Sequence, residues 1–551
     1  MVEIGDKPVG ATQSASAEDL PVTLPRASSA ERNVVWVLWL TYGAFYFCRT
    51  NISAAVPGMK QSVAEGGLAL SGDEIGWILA SLKIAYGLGQ LLNGQLSERT
   101  SPRVMLALGM FGSAALNVLF GFGAGFLFLL FVWATNGFCQ SLGWTPCMRV
   151  TANWVPVVRR GKAIGIIGTG YQITLGLTYL IASQSASLLG WRGALWVPAM
   201  LLTLAGLFML FGLREMPPTT ISHDVAQRTP GVLPRTSFAE NLYLTLYNPA
   251  LWLLGLALAL LNACRYGYID WGLTHLMETN SLPIDKAGLQ FFVIAIGAAA
   301  GSYLAGWATD RFFASRRAPV ICILMATLGT LSFVYESVVR QGAVGTVVLL
   351  VLIGFCIYGP QVLLVGTAPA DLAQKGTSAA AAGFVNFLGY MGAATGDVIT
   401  GYYSSPEHGG WQVAIYIWTG WAFAGALITA ILWNTTSRKV GLLPSLIPKL
   451  GTVGMMGAAG GALSYGDQPM LLQIATYSAA VILLLTLANR WAALLAILVA
   501  TAGLLTVFVS LVQAGEGGTW AESAAMVTFG LTMITSLMIL VERKDVRCEL
   551  S

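Results

Sequence analysis

The chain has 551 residues, of which 56% are hydrophobic and 10% charged. A soluble globular protein carries about 25% charged residues, so an ordinary soluble protein is excluded. The formal charge of +4 is too small to point to nucleic acid as a partner.

Residues 1–32 are polar, mixed in charge and without the apolar h-region of a secretory leader, and they read as a disordered cytoplasmic tail. Runs close to the roughly 20 apolar residues that cross a bilayer then come one after another with few gaps. Six fall at 33–58, 74–95, 102–123, 126–148, 161–187 and 192–213, making an N-terminal half over 33–215. The stretch 216–247, with Pro217, Pro218, Pro230 and Pro234, is a central cytoplasmic linker. Six more at 249–277, 288–309, 319–336, 346–369, 378–402 and 411–434 make a C-terminal half over 248–436. Residues 437–551 form an extra membrane-embedded extension, with apolar runs at 468–487, 491–513 and 524–541 and a short glycine-rich one at 450–465. That gives three or four further helices. Four are favoured, because an even count returns Glu542, Arg543 and Lys544 to the side of the other basic loops.

Orientation is read from lysine and arginine in the short loops. With the N-terminus inside, inner segments hold 19 basic residues, among them Arg99, Arg103, Arg159, Arg160, Arg311 and Arg316, and outer loops hold Lys60, Arg192, Lys286 and Arg340. The two sextets also repeat each other. Gly94, Glu98 and Arg99 recur as Gly306, Asp310 and Arg311, 212 residues later. Parallel halves with a site between them describe a secondary transporter. The seven cysteines (48, 139, 147, 264, 322, 356 and 548) form no CxxC pair, and His223, His275 and His408 are too scattered for a metal site. No GxxxxGK[ST] loop is present to drive transport with ATP. Neither a metal nor a cofactor is expected.

Arg49 in the first span and Arg265 in the seventh lie 216 residues apart. Each is 16 residues from the inner end of its span, about 24 Å along a helix at roughly 1.5 Å per residue, which puts both near the midplane. An arginine there costs from about 2.5 to well over 10 kcal/mol. A guanidinium keeps its proton and offers a planar fork to phosphate or carboxylate oxygens. No pair of acids lies at the same depth, so the missing partner is an anion that arrives and leaves. Tyr42, Tyr46 and Arg49 are spaced to share one helical face, Asn262 precedes Arg265 by one turn, and Gln140 and Trp144 are four apart on the fourth span. Together they read as a polar pocket, with no acid–base or nucleophile cluster to suggest an enzyme.

The stretches YGAFYFCRTN (Tyr42–Asn51), IAYGLGQ (Ile84–Gln90), GWTPCMR (Gly143–Arg149), RYGYIDW (Arg265–Trp271) and YGPQ (Tyr358–Gln361) resemble the organophosphate:phosphate antiporter family of the major facilitator superfamily. The resemblance runs in order from about residue 33 to 436. It implies an all-α major facilitator fold of two six-helix halves, here with the C-terminal helices added. It also implies that Arg49 and Arg265 grip a phosphoryl group while Tyr42, Tyr46, Tyr86 and Gln140 line the cavity. Thr50, Gln90 and Tyr171 stand where glycerol-3-phosphate carriers have two lysines and a histidine, which puts glycerol 3-phosphate itself in doubt as substrate. In such a fold the second and eleventh helices face each other, so Lys83 and Asp397 at matching depths form a candidate gate.

The implied activity is exchange of an organic phosphate ester for inorganic phosphate by a monomer in the lipid of a bacterial inner membrane. The extension is open to a membrane partner. The alternative is a transporter-like receptor that senses a sugar phosphate and signals to a kinase.

Overall fold

A computed structural model describes residues 28–217, 243–313, 316–373 and 377–432. The expected tail up to residue 27, most of the central linker and the 437–551 extension with its three or four helices lie outside these described residues.

Every described element is helical. The first span starts on Ser28, whose side chain accepts from the Glu31 amide, and runs over Ser29–Ala44. It tightens to a 3-10 turn at Phe45–Cys48 and resumes at Ile52–Lys60. The second, Gly72–Arg99, opens with a reciprocal Ser71–Glu74 capping box, which satisfies two otherwise orphaned amide donors. Pro102–Gly121, Phe126–Trp154, Val157–Leu189 and Gly193–Gly212 complete the first half. The second half comprises Pro249–Asn280, Ile284–Phe312, Arg317–Gln341, Ala343–Thr367, Ser378–Tyr403 and Gly410–Ile431.

Nine of the described helices are long and apolar enough to cross a bilayer on those grounds alone. The first span, broken at its 3-10 turn, and the second and eleventh are the other three. The latter two carry Lys83 and Asp397 and are rich in glycine and alanine, the composition of helices that face protein rather than lipid.

Packing repeats between the halves. The first span lies on the fifth, the second on the fourth and the third on the sixth, and in the same way the seventh lies on the eleventh, the eighth on the tenth and the ninth on the twelfth. Two seams join the halves, second against eleventh and fifth against eighth, and exchanging the halves turns each seam into the other. At one end the seams are tight. A Cβ on Gly401 would collide with the Gly72 carbonyl, and one on Gly288 with Ser183. Lys60 there pairs with Glu278 at 2.6 Å, and the Trp411 indole donates to Glu278 at 2.7 Å. Toward the opposite end, where the arginine-rich loops lie, a Cβ on Gly161, Gly165 or Gly383 would meet no atom within 4 Å. The halves are therefore tightly packed at the end opposite the basic loops.

Candidate functional site

The break in the first span prepares one side of the site. Irregular backbone frees carbonyls that must be paired when buried. Side-chain amides from the third and fourth spans reach them: Asn117 and Asn136 donate to Cys48 O at 3.3 and 3.0 Å, and Gln140 donates to Phe45 O at 3.1 Å. Gln140 Nε2 also donates to Ser113 Oγ at 2.7 Å, which turns its Oε1 to accept from Arg49 Nε at 3.0 Å. Arg49 is 4% exposed, and its guanidinium lies 4.7 Å from the Tyr46 ring and 4.5 Å from the Tyr86 ring. Its Nη1 and Nη2 are buried without a hydrogen-bond partner among the described residues. The fork of the guanidinium is thus left over after Nε is paired with Gln140.

Arg265, 2% exposed, is held differently. Its Nη2 donates to the Tyr358 hydroxyl at 3.2 Å, its guanidinium packs on the Tyr266 and Tyr358 rings at 4.8 and 4.9 Å, and its Nε has no partner. Tyr46 lies in the field of both arginines. Neither guanidinium has a carboxylate within ion-pair distance among the described residues. A buried charged donor left unfilled is costly, whereas a phosphoryl group offers several charged acceptors at once.

Aromatic rings wall the space between. Tyr42 packs against Tyr46, Trp144 and Tyr171 at centroid distances of 6.4, 4.8 and 6.0 Å, and Tyr46 stacks on Tyr171 at 5.0 Å. Tyr86 meets Tyr390 of the other half at 4.5 Å, and the Gln90 amide donates to the Tyr86 hydroxyl at 3.0 Å. Of the residues singled out in the sequence, Arg49, Tyr42, Tyr46, Tyr86 and Gln140 form one contiguous shell. Asn262 is buried one turn from Arg265, its amide nitrogen against Gly389 of the eleventh span and its Oδ1 without a partner.

Lys83 and Asp397 also meet, with Nζ 2.6 Å from Oδ2. The expected pair is a triad, however, because Lys83 Nζ also donates to Asp270. The three side chains are at most 3% exposed. Sequence reasoning missed Asp270, although it sits in the RYGYIDW run. The cause is a π-helical turn at Gly267–Trp271, which redirects the residues after Arg265 and defeats depth counting on an α-helix. Tyr266, Tyr358 and Tyr390 were missed as site members for want of any charge or spacing that marks them. The Lys83 Nζ and the Arg265 guanidinium each lie 4.8 Å from the Tyr266 ring centroid, so that ring links the triad to the arginine site.

Two six-helix halves packed along two seams, with Arg49 and Arg265 buried between them, define a multi-pass membrane transporter. The chain belongs to the Major Facilitator Superfamily, whose model matches residues 38–397. It is 28% identical over 417 residues to the glycerol-3-phosphate transporter of Bacillus subtilis (strain 168), covering 73% of this chain and 92% of that one. It is also 28% identical over 376 residues to the membrane sensor protein UhpC of Escherichia coli (strain K12), covering 66% and 83%. These relatives agree with the resemblance read from the sequence. In fold it is similar to a bacterial homologue of the human lysosomal transporter Spinster, in an inward-facing and unoccupied conformation. The TM-score is 0.59 at 17% identity, covering 76% of this chain and 100% of the other.

Proposed function

We propose that the protein exchanges an organic phosphate ester for inorganic phosphate across a bacterial inner membrane by alternating access. One observation carries this reading: two buried arginines border an aromatic-walled space, and no carboxylate among the described residues lies within ion-pair distance of either. Moving two bare guanidinium groups through a closed, dry intermediate costs several kcal/mol per ion. A phosphate dianion brings the local charge near zero and lowers that barrier, so the loaded carrier moves and the empty one does not. The result is exchange rather than net flux. The relative named as a glycerol-3-phosphate transporter supports the phosphate-ester class. The basic end is assigned to the cytoplasm, since short cytoplasmic loops favour lysine and arginine. The tight end is then external, and Lys83 with Asp397 forms part of the outer gate.

The test is exchange of radiolabelled phosphate in proteoliposomes against glycerol 3-phosphate, hexose phosphates and phosphoglycerates. Label should enter only when phosphate or an accepted ester is trapped inside. Failure of every ester to exchange defeats the reading, as does equal uptake into empty vesicles. The relative named as a membrane sensor supports a second reading, reception of a phosphate ester with signalling to a partner. Saturable ester binding by a chain that moves no label identifies that case.

A further inference from the structure

We infer that the site selects phosphate monoesters whose organic part is uncharged and carries hydroxyl groups, and that the carboxamide oxygens of Asn262 and Gln361 accept those hydroxyls. The inference rests on the phosphate-ester reading above and narrows its substrate class.

Charge sets the first limit. Arg49, Lys83 and Arg265 are the buried lysines and arginines among the described residues. Lys83 is already committed, since Asp397 lies 2.6 Å from its Nζ and Asp270 accepts a hydrogen bond from it. That leaves the two guanidinium groups, which balance one phosphoryl dianion. A carboxylate on the organic part would enter without a counter-charge, and an isolated carboxylate in a desolvated site is costly.

Hydrogen-bonding sense sets the second limit. Asn262 is 2% exposed, and its Oδ1 has no partner among the described residues. Gln361 Oε1 is likewise buried and unpartnered. A carboxamide kept only for helix packing bonds across the interface, as Asn51 does to Asn117 at 2.9 Å. These two oxygens do not.

Their placement is shared. Asn262 precedes Arg265 by three residues on the seventh span, and Gln361 follows Tyr358 by three on the tenth. The two spans run in opposite directions, and the Arg265 Nη2 bond to the Tyr358 hydroxyl ties them together. Both carboxamides therefore lie about one turn from that bond, on the side of the basic loops. The Asn262 amide nitrogen faces Gly389, next to Tyr390, whose ring meets Tyr86 and through it Arg49. An ester held at the arginines thus has amide oxygens and tyrosine rings beside its organic part. Amide oxygens accept and do not donate. A hydroxyl donates to them and satisfies a buried acceptor that is otherwise costly, whereas a carboxylate can only accept and leaves them unpaired.

The test is titration calorimetry on the full chain in lipid nanodiscs, with inorganic phosphate as reference. Two pairs of esters differ by a carboxylate: glycerol 3-phosphate against 3-phosphoglycerate, and glucose 6-phosphate against 6-phosphogluconate. The uncharged member of a pair should bind about a hundredfold tighter, since a site built to bond a hydroxyl strongly rejects the analogue without it. Asn262→Leu and Gln361→Leu should each cut that preference about tenfold, weakening the uncharged ester more than phosphate. Gln361 is only partly buried, so its variant answers alone if Asn262→Leu fails to insert. A carboxylate-bearing ester that binds as tightly as its uncharged counterpart overturns the proposal. So does binding of phosphate without either uncharged ester, or an equal loss for phosphate and ester in the variants, which is what a merely structural role gives. A chain that shows the preference but exchanges no label in proteoliposomes loses the exchange reading and keeps the selectivity. One that exchanges both members of a pair equally does the reverse.

Discussion

The first and seventh spans carry the same arginine 216 residues apart, yet their backbones leave α-geometry in opposite ways around it. The first winds tighter just before Arg49, at Phe45–Cys48, and the seventh winds wider just after Arg265, at Gly267–Trp271. Tightening releases carbonyls that Asn117, Asn136 and Gln140 occupy, so Arg49 is set in a network of amides. Widening adds a residue to the turn and rotates the downstream part of the helix by about 100°, and Asp270 within that segment meets Lys83 across the seam. One half fixes an arginine rigidly, and the other ties its arginine to the seam through the ring of Tyr266. The repeat keeps the charge but not the task.

The comparison is tested most severely at the arginines themselves. Arg49→Lys and Arg265→Lys should each abolish phosphate exchange at equal insertion, because lysine keeps the charge and loses the fork. Each charge-assisted hydrogen bond lost is worth about 1.5–3 kcal/mol, so a fall of a hundredfold or more is expected on losing two. Near-normal exchange by either variant removes that arginine from the site.

The seam comes next. Truncating one partner of a buried ion pair costs about 3–5 kcal/mol. Lys83→Asp and Asp397→Lys should each impair exchange strongly, and the double swap should regain a good part of it. Asp270 adds an asymmetry: Lys83→Asp gathers three acids and should be the worse single change, whereas Asp397→Lys leaves Asp270 a cation. A swap no better than its worse parent separates the two residues.

The smallest effects distinguish how the two arginines are held. Gln140 makes three hydrogen bonds, to Arg49, Phe45 O and Ser113, whereas the Tyr358 hydroxyl makes one, to Arg265. Gln140→Leu should therefore lower exchange about tenfold and reduce the thermal midpoint, at about 1–3 kcal/mol for each buried group left unsatisfied. Tyr358→Phe should cost only a few-fold. Equal losses in rate and midpoint would mean that both arginines are held alike.

Much of the fold and part of the site were legible in the sequence because they are periodic or expensive. Apolar runs mark the helices, the Gly94/Gly306 repeat marks the halves, and Arg49 and Arg265 stand out because charge in a bilayer needs a reason. What escaped is non-local or irregular. Nothing in FYFC announces a 3-10 turn; it persists because amides 69 to 95 residues away cap its carbonyls. The Lys83–Asp397 contact came only through resemblance to a known fold, and Asp270 stayed hidden because a π turn changes which way a residue faces without changing its place in the chain. Tyr390 and Tyr358 look like any aromatic in an apolar helix until a guanidinium or a ring is found against them.

The contact of Gly401 with the Gly72 carbonyl has a practical use. Its closeness depends on two missing methyl groups and on no charge, so a single alanine at Gly401 acts as a wedge in the closed seam. Such a wedge penalises one conformation by steric bulk alone and leaves the arginines, the aromatic wall and the lysine–aspartate triad chemically intact. It offers a way to hold that end of the seam apart while the arginines and the acids are studied in their native composition.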